Sequence, residues 1–324
     1  MYLISLPQSP DTILPFYLAA EEWAARSLPA GKYFFAWQVE PTVICGRHQE
    51  MAAEVDLGYA SEHDIKVWRR KSGGGAVYAD RNNIMFSYIT PSTDVQTTFE
   101  DYTAMICAML RTLGIEANPT GRNDIAVNGR KVAGNAFLKL PGRSIVHGTM
   151  LYDADFESMS HVLTPSRAKR ESKGVVSVPS RITTLRSEGL NMNCDDFIRH
   201  ATDYLCNDGI ITPTTTDIAA IEDIMQTYLD PGYLRRDKRC RHAAKYYDGV
   251  GQLKADIKVD ARGCISDISL WGDFLPLRPI EPLLHSMRGI PPDIGTLREV
   301  LPPLEPECYI SGLTCAILAD AIVN

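Results

Sequence analysis

The segment from residue 124 to residue 152 constrains the fold more than any other part of this sequence. Asp124–Val127 has the short apolar pattern of a strand and is followed by Asn128-Gly129, a dipeptide that favours a two-residue hairpin turn. Arg130–Leu138 is predicted to be the return strand, and Pro141-Gly142 is predicted to turn the chain again before a third strand over Ser144–Tyr152. These signals predict an antiparallel meander.

A triple glycine lies between two further predicted strands, Ile65–Trp68 and Ile84–Ile89. Because glycine has no Cβ, Gly73–Gly75 can adopt positive φ and can let a ligand approach the backbone N–H groups closely. Arg69 and Arg70 add cationic donors directly before it. Such a loop suits a phosphate or a carboxylate, and a flexible loop without a ligand is the alternative.

Composition and charge narrow the classes of protein. The 324 residues are 45% hydrophobic, and the formal net charge of −7 argues against general nucleic-acid binding. We expect no signal peptide and no membrane helix, because the N-terminus has no basic region and no stretch has the roughly 18 apolar residues of a membrane span. The eight cysteines are scattered without a C-x-x-C pair, which is typical of reduced thiols in a cytoplasmic protein.

Helix signals flank the predicted strands. Asp11 and Thr12 are predicted to cap a helix over residues 13–28. Thr97–Glu100 fits a capping box that opens a helix ending near residue 114.

The sequence changes character near residue 245. Two alternating segments, Gln252–Val259 and Cys264–Leu270, predict a hairpin, and a proline-rich region follows it. We therefore predict one domain over residues 1–244 and a small second domain over residues 245–324.

Besides the triple glycine and its two arginines, two residue clusters could perform chemistry. Asp124 and Lys131 lie on the two arms of the predicted hairpin, where a lysine can bridge several anionic oxygens and an aspartate can hold Mg²⁺ together with phosphates. A solvated surface pair is the alternative. His147-Gly148 indicates a close backbone approach in the third strand, although a structural histidine fits equally well. The P-loop, the dinucleotide-binding fingerprint and the Gly-x-Ser-x-Gly elbow are all absent, so a nucleotide would bind by another route.

In this order and spacing, the motifs resemble those of the lipoate–protein ligase family. The matching segments are Arg69–Tyr78, Gly121–Asp124, Arg130–Ala136, His147–Thr149 and Gly174–Thr183. The resemblance covers about residues 1–190, and the C-terminal segment resembles the accessory domain of the two-domain ligases. It implies an α+β fold with a mixed β-sheet flanked by helices, as in biotin–protein ligases, and a small α/β C-terminal domain.

The resemblance also implies the reaction. Lipoate and ATP, with Mg²⁺, would give lipoyl-adenylate and pyrophosphate. The lipoyl group would then pass to a lysine of an acceptor domain, as in 2-oxoacid dehydrogenase E2 subunits or the glycine cleavage H protein. Nothing in the sequence requires more than a monomer.

Residue roles follow from the same resemblance. Lys131 would be the catalytic residue, in contact with the α-phosphate and the acyl carbonyl, and Asp124 is the candidate magnesium ligand. His147 and Gly148 would lie beside the lipoyl pocket. The residues implied to bind ATP and the lipoyl-adenylate are Arg70, Gly73, Gly74, Gly75, Ala76, Val77, Tyr78, Asn123, Asp124 and Lys131.

Two departures and several alternatives remain. Many family members have a histidine where this chain has Ala79, and two histidines where it has Val146-His147. Related acyltransferases that use no ATP pass the acyl group through a cysteine, but the corresponding position is Ser166 and no cysteine lies within residues 121–183. The Gly-Arg-Gly-Arg-type loop of biotin ligases is absent. A non-catalytic homologue would be expected to lose Lys131 or the triple glycine, which this chain keeps.

Overall fold

The computed structural model describes residues 1–7, 12–121, 123–164, 181–234 and 244–323. Its strands are β1 (Tyr2–Ile4), β2 (Tyr33–Trp37), β3 (Thr42–Cys45), β4 (Lys66–Arg69), β5 (Val77–Ala79), β6 (Asn83–Thr90), β7 (Ala117–Thr120), β8 (Asp124–Val127), β9 (Arg130–Leu140), β10 (Arg143–Leu151), β11 (Ile210–Ile211), β12 (Lys245–Tyr247), β13 (Gly251–Val259) and β14 (Ile265–Gly272). Its helices are α1 (Leu14–Ser27), α2 (Met51–Glu54), α3 (Leu57–Glu62), α4 (Val95–Thr112), α5 (Phe156–Val162), α6 (Cys194–Leu205), α7 (Thr215–Leu229), α8 (Pro231–Leu234), α9 (Glu281–Ser286), α10 (Ile294–Val300) and α11 (Cys315–Val323).

Eight strands form the main sheet, in the order β11-β1-β2-β6-β10-β9-β8-β7. Strands β8, β9 and β10 form the predicted antiparallel meander. Strand β1 pairs in parallel with β2 and β11, whereas the pairs from β2 to β7 are antiparallel. The prediction of a mixed sheet is therefore confirmed.

The core lies on both faces of this sheet. Successive side chains of a strand point to opposite faces. Phe34 and Phe86 accordingly join one hydrophobic cluster with α4 and α6, whereas Phe35 and Met85 join another with α1 and α7. Because helices cover both faces, all eight residues of β6 are buried.

A second, three-stranded sheet holds the glycine-rich loop. Its order is β4-β3-β5, with β3 parallel to β4 and antiparallel to β5. The loop between β4 and β5 carries the triple glycine, so its two ends are fixed on either side of one strand. The predicted strand over Ile65–Trp68 is present and is shifted by one residue.

The C-terminal region has a three-stranded antiparallel sheet of its own, β12-β13-β14. The predicted hairpin is confirmed as β13 and β14. One hydrophobic cluster of this region contains only residues between Val250 and Ile322. The predicted boundary at residue 245 remains a prediction.

Two predicted helix caps differ from the structure. Helix α4 begins at Val95 because the Asp94 carboxylate accepts the Thr97 amide at 2.7 Å, so the capping residue lies three positions before Thr97. Helix α1 has Ile13 as its N-cap and no side-chain cap bond, although a proline in its first turn favours the start. Asp11 lies outside the described residues.

Helix length and composition also bear on membrane crossing. Across the described ranges, no helix is both long and apolar enough to span a bilayer. Helix α4 has 18 residues, but it carries Glu100, Asp101 and Arg111.

Candidate active site

Most of the residues singled out from the sequence line one cavity of about 780 Å³. Main-sheet strands, the glycine-rich loop and the C-terminal region all contribute to its wall. The predicted residues in that wall are Arg70, Gly74, Gly75, Ala76, Val77, Tyr78, Asn123, Asp124, Lys131, His147 and Gly148. From the matching segment 174–183, Arg181 and Ile182 also line it, whereas residues 174–180 and Arg122 lie outside the described residues.

Gly73 differs from this expectation. It lines a separate cavity of about 60 Å³ on the side of the loop that faces the C-terminal region. A Cβ at this position would lie 2.3 Å from Pro276 Cδ and 2.8 Å from the Phe274 carbonyl oxygen. Glycine at position 73 therefore makes room for the C-terminal region, not for a ligand in the large cavity.

Lys131 and Asp124 meet across the hairpin. Lys131 Nζ lies 2.8 Å from Asp124 Oδ1, and the two side chains are 39% and 34% exposed. A Cβ at position 134 would lie only 2.4 Å from Lys131 Nζ, so Gly134 leaves the space that the lysine occupies. The hairpin turn has φ of 51° at Asn128 and 75° at Gly129, the positive values that an Asn-Gly turn accommodates.

The backbone of Lys131 is held on its other side by the segment after the undescribed residues. Lys131 N–H donates to the Arg181 carbonyl at 2.8 Å, and Thr183 N–H donates to the Lys131 carbonyl at 2.9 Å. The register of β8 with β9 also shifts between Ile125 and Ala126, next to the lysine. Bulges of this kind re-aim side chains near functional sites.

Arg70 is buried, and its donors hold the loop itself. Its guanidinium donates to the carbonyls of Ile44, Gly73 and Gly75 at 2.7–2.8 Å and to Ser72 Oγ at 3.0 Å. Burial lowers the pKa of Arg70 to about 10, so the side chain is still charged at neutral pH. The sequence indicated that Arg70 is a cationic donor for a phosphate, but most of its N–H groups bind protein oxygens because the loop curls around the guanidinium.

Gly74 also differs from the expectation that the backbone N–H groups of this loop face a ligand. It has φ of 89°, a value that favours glycine, and its N–H donates to the Phe274 carbonyl at 3.2 Å. His48 stacks on the Phe274 ring with centroids 4.8 Å apart. Two ion pairs also join the segment after β3 to the C-terminal region. They are Arg47 with Glu281 and Glu50 with Lys254. The glycine-rich loop is thus packed between the main cavity and the C-terminal region.

His147 belongs to a buried hydrogen-bond chain that sequence reasoning missed. Its Nδ1 lies 2.7 Å from Glu21 Oε2, and its Nε2 lies 2.7 Å from Ser72 Oγ. Glu21 also accepts from Ser87, which in turn accepts from Trp37 Nε1 at 2.8 Å. The directions are consistent when Nδ1 carries the proton, because Ser72 can then donate to Nε2. Both imidazole nitrogens are therefore hydrogen-bonded, and these two bonds hold the His147 ring in place in the cavity wall.

Asn123 and Gly148 are tied together through Asn135. The Asn135 side chain donates to the Asn123 carbonyl at 2.7 Å, and the Asn123 side chain donates back to the Asn135 carbonyl. A Cβ on Gly148 would lie 2.0 Å from Asn135 Oδ1. Gly148 therefore makes room for the amide that fixes the residue before Asp124.

Tyr78 is buried beside the glycine-rich loop. Burial, followed by the charges of Asp80 and Asp155, raises the pKa of Tyr78 to about 12. The phenol is therefore neutral at physiological pH. The wall also has apolar side chains from several elements, among them Leu18, Trp37, Ile44, Val77, Met85 and Leu275. The cavity thus combines an apolar lining with the charged Lys131–Asp124 pair.

Comparison with known proteins identifies the family. The family profile described as Lipoyl protein ligase A/B catalytic domain matches residues 15–206, and that described as Bacterial lipoate protein ligase C-terminus matches residues 240–322. Lipoate-protein ligase LplJ of Bacillus subtilis is 31% identical over 319 residues, which cover 94% of this chain and 95% of that protein. The chain belongs to the lipoate–protein ligase family and is an enzyme of that class.

Solved structures share the fold. P. falciparum LipL1, solved with lipoate, aligns with a TM-score of 0.79 at 18% identity over 99% of this chain and 98% of that one. A bi-partite ligase from Thermoplasma acidophilum, described with its E2 lipoyl domain, gives 0.64 at 25% identity over 75% and 98%. A lipoate-protein ligase A bound with ATP gives 0.63 at 24% identity over 72% and 97%. The predicted fold class is confirmed.

Proposed function

We propose that this chain is an ATP-dependent lipoate–protein ligase that forms lipoyl-adenylate and then transfers the lipoyl group to a lysine of an acceptor protein. The observation that carries the proposal is the composition of the large cavity. Apolar side chains such as Trp37 and Met85 suit an acyl chain, and the Lys131–Asp124 pair suits a phosphate with its counter-ion. The related ligases solved with lipoate and with ATP support the same two ligands.

Lys131 is the proposed catalytic residue of both steps. In the first step the lipoate carboxylate attacks the α-phosphorus and pyrophosphate leaves, while negative charge builds on the phosphate oxygens. A cation that is already in place stabilises that charge without reorganisation. Lys131 Nζ is held at the cavity wall by Asp124 and has room there because residue 134 is glycine.

Asp124 is the proposed ligand for the Mg²⁺ that accompanies ATP. No group of three or more His, Cys, Asp or Glu side chains in the described ranges could hold a metal ion. One carboxylate fits Mg²⁺ when phosphates and water complete its shell, which is a common arrangement. The ion would neutralise phosphate charge, and Asp124 would also keep Lys131 oriented.

The second step is acyl transfer. The ε-amine of an acceptor lysine attacks the lipoyl carbonyl and AMP leaves as a good leaving group. We assign to Lys131 the stabilisation of the carbonyl oxygen, because one Nζ can bridge phosphate and acyl oxygens. The proposed acceptors are lipoyl domains, including 2-oxoacid dehydrogenase E2 subunits and the glycine cleavage H protein, and the T. acidophilum ligase with its E2 lipoyl domain supports this class.

The glycine-rich loop has two proposed roles. Gly74, Gly75, Ala76, Val77 and Tyr78 would line the nucleotide, because they face the large cavity. Arg70 would act through the loop by holding its carbonyls. His147 and Gly148 would border the lipoyl chain. The side chain of Asn123 would hold the backbone just before Asp124 in place through its hydrogen bond to the Asn135 carbonyl.

The ATP-independent acyltransferase has no support in this cavity. That chemistry needs a cysteine to carry the thioester. None of the described residues that line the cavity is a cysteine.

We also propose that the chain acts as a monomer with a catalytic domain over residues 1–244 and an accessory domain over residues 245–324.

The deciding experiment is pyrophosphate release with lipoate, ATP and Mg²⁺. The wild type should release pyrophosphate only when all three are present. Lys131→Ala should lose at least about 100-fold in kcat, the range seen when one transition-state donor is removed. Lys139→Ala, an exposed lysine on the same strand and outside the large cavity, is the matched control and should be unaffected. Wild-type turnover in Lys131→Ala would sink the assignment.

A further inference from the structure

Glu188 is a buried carboxylate outside the wall of the large cavity, and its side chain is only 4% exposed. It accepts hydrogen bonds from three side chains. Arg130 Nη2 lies 2.5 Å and Thr183 Oγ1 lies 2.7 Å from Oε1, while Asn128 Nδ2 lies 2.7 Å from Oε2. Both carboxylate oxygens are therefore in use.

All three donors lie near Lys131, two of them in the sequence and the third through a backbone hydrogen bond. Asn128 and Arg130 belong to the tip of the hairpin that carries the lysine. Thr183 belongs to the segment that brackets the Lys131 backbone through the two hydrogen bonds at Lys131 N–H and C=O. Glu188 thus joins the hairpin tip to the segment on the lysine's other side.

The charge balance favours this arrangement at neutral pH. Burial alone would raise the pKa of Glu188, but hydrogen bonds from Thr183 and Asn128 and the charge of Arg130 outweigh it and lower the pKa. The carboxylate is therefore ionised and attracts all three donors. Truncating it would leave the hydroxyl of Thr183, which is buried, without its acceptor.

We propose that Glu188 is a positioning residue for Lys131, because it fixes both the hairpin tip and the backbone segment that together set where Lys131 Nζ lies. This inference rests on the proposed catalytic role of Lys131. Among the described residues, the Glu188 side chain has no hydrogen bond or ion pair with Lys131 and is not part of the wall of the large cavity, so it would act through its three partners.

A loss of position should appear in turnover and not in substrate binding. A misplacement of about 1 Å at a reacting group can cost roughly 100-fold in rate. The apolar part of the cavity, near Trp37 and Met85, does not involve Glu188. We expect Glu188→Gln to lower kcat by about 10-fold to 100-fold with the KM for lipoate changed less than about 3-fold.

A donor–acceptor exchange gives the sharper test. In Glu188→Gln the new NH₂ group faces Asn128, whose side-chain amide must turn over to present Oδ1 to it, whereas Asn128→Asp supplies an acceptor without that rearrangement. Asp-Gly favours the same turn as Asn-Gly, so the second change keeps the hairpin. The kcat of the double variant should be at least about 5-fold higher than that of Glu188→Gln. This ratio corresponds to about 1 kcal/mol of activation free energy, which is typical of one restored hydrogen bond.

The experiment measures single-turnover lipoyl-adenylate formation and the KM for lipoate at a temperature well below each variant's unfolding midpoint. The wild type, Lys131→Ala and Glu40→Gln run alongside, since Glu40 forms an exposed ion pair with Arg81 outside the cavity. If Glu188→Gln does not fold, Arg130→Gln removes one contact from a side chain that is 48% exposed and should lower kcat about 3-fold to 10-fold, roughly one hydrogen bond.

The outcomes separate the two hypotheses. If Lys131→Ala keeps wild-type turnover, its proposed role and the positioning role both fail. If Lys131→Ala is inactive while Glu188→Gln and Arg130→Gln keep the wild-type kcat, only the positioning role fails. A rise in the KM for lipoate that accounts for the whole loss, or a double variant with no recovery, also overturns it. Loss in kcat with recovery in the double variant supports it.

Discussion

Ser72 Oγ lies 2.7 Å from His147 Nε2 and joins the glycine-rich loop to the central strand β10. The same oxygen accepts from Arg70 Nε at 3.0 Å, so one hydroxyl links the buried guanidinium to the imidazole. Glu21 completes the chain at His147 Nδ1. The loop is therefore shaped by an internal network before any ligand binds.

The first prediction concerns that hydroxyl. Ser72→Ala would leave Arg70 Nε and His147 Nε2 buried without a partner, which should cost about 2 kcal/mol of unfolding free energy. Urea unfolding of wild type and variant measures the difference. Ser266→Ala is the control, because Ser266 is an exposed serine that donates to one carbonyl. Equal free energies for Ser72→Ala and the wild type would show that water replaces the hydroxyl.

The second prediction concerns Gly134. In Gly134→Ala the new Cβ would meet the flexible end of Lys131 at 2.4 Å, so the lysine must move while the fold can remain. We expect kcat for adenylate formation to fall at least about 10-fold, with a small change in the unfolding midpoint. Pyrophosphate release and a thermal melt measure the two quantities.

Gly58→Ala serves as the control for Gly134→Ala. Its Cβ would meet only the Asp56 side chain, at 3.3 Å, in helix α3, and Gly58 does not line the large cavity. A Gly134→Ala enzyme with normal kcat would mean that Lys131 does not need the place it occupies here.

The third prediction separates Gly73 from its neighbours. Gly73→Ala would force its Cβ against Pro276 and the Phe274 carbonyl, so it should loosen the contact with the C-terminal region and destabilise the fold by about 1–3 kcal/mol. Limited proteolysis and urea unfolding measure the two effects. Gly295→Ala, whose Cβ would meet only a side-chain oxygen at 3.3 Å, is the control. Unchanged protease resistance and stability would contradict the packing role.

Local signals made part of this fold predictable. The Asn128-Gly129 turn and the strands around it are specified by local sequence. The bounds of the meander could therefore be predicted nearly correctly. Strands β1 and β11 were missed because they are three and two residues long and are stabilised by pairing across about 200 residues of sequence. Helix α7 was missed although Thr214 and Asp217 form a capping box, a signal that was readable.

The candidate site was less predictable than the fold. The sequence marked Lys131 and Asp124, because a hairpin brings them together. It marked Arg70 as a cation but could not show that the carbonyls of Gly73 and Gly75 in the curled loop would accept from its N–H groups. Glu21 and Glu188 carried no local signal, since His147 lies 126 residues from Glu21, and Asn128 and Arg130 lie about 60 residues from Glu188. Long-range partners decide the role of a buried charge.

The last prediction uses the helix cap that sequence reasoning placed at Thr97. The Thr97 backbone amide, followed by its hydroxyl, lowers the pKa of Asp94 below the usual value of 3.8. A carboxylate with a lowered folded pKa contributes stability above its unfolded pKa and loses that contribution as the pH falls through its folded pKa. The stability gap between wild type and Asp94→Ala should therefore be constant from about pH 5 to 7 and narrow towards pH 3.

Urea unfolding at pH 7 and pH 3 measures this gap. Asp94→Asn caps the helix without titrating, so its advantage over Asp94→Ala should be the same at both pH values. Comparing variants at each pH removes the contribution of every other titrating group. If the difference in unfolding free energy between the wild type and Asp94→Ala is the same at pH 3 and pH 7, the ionised Asp94 carboxylate stabilises α4 no more than a neutral cap does.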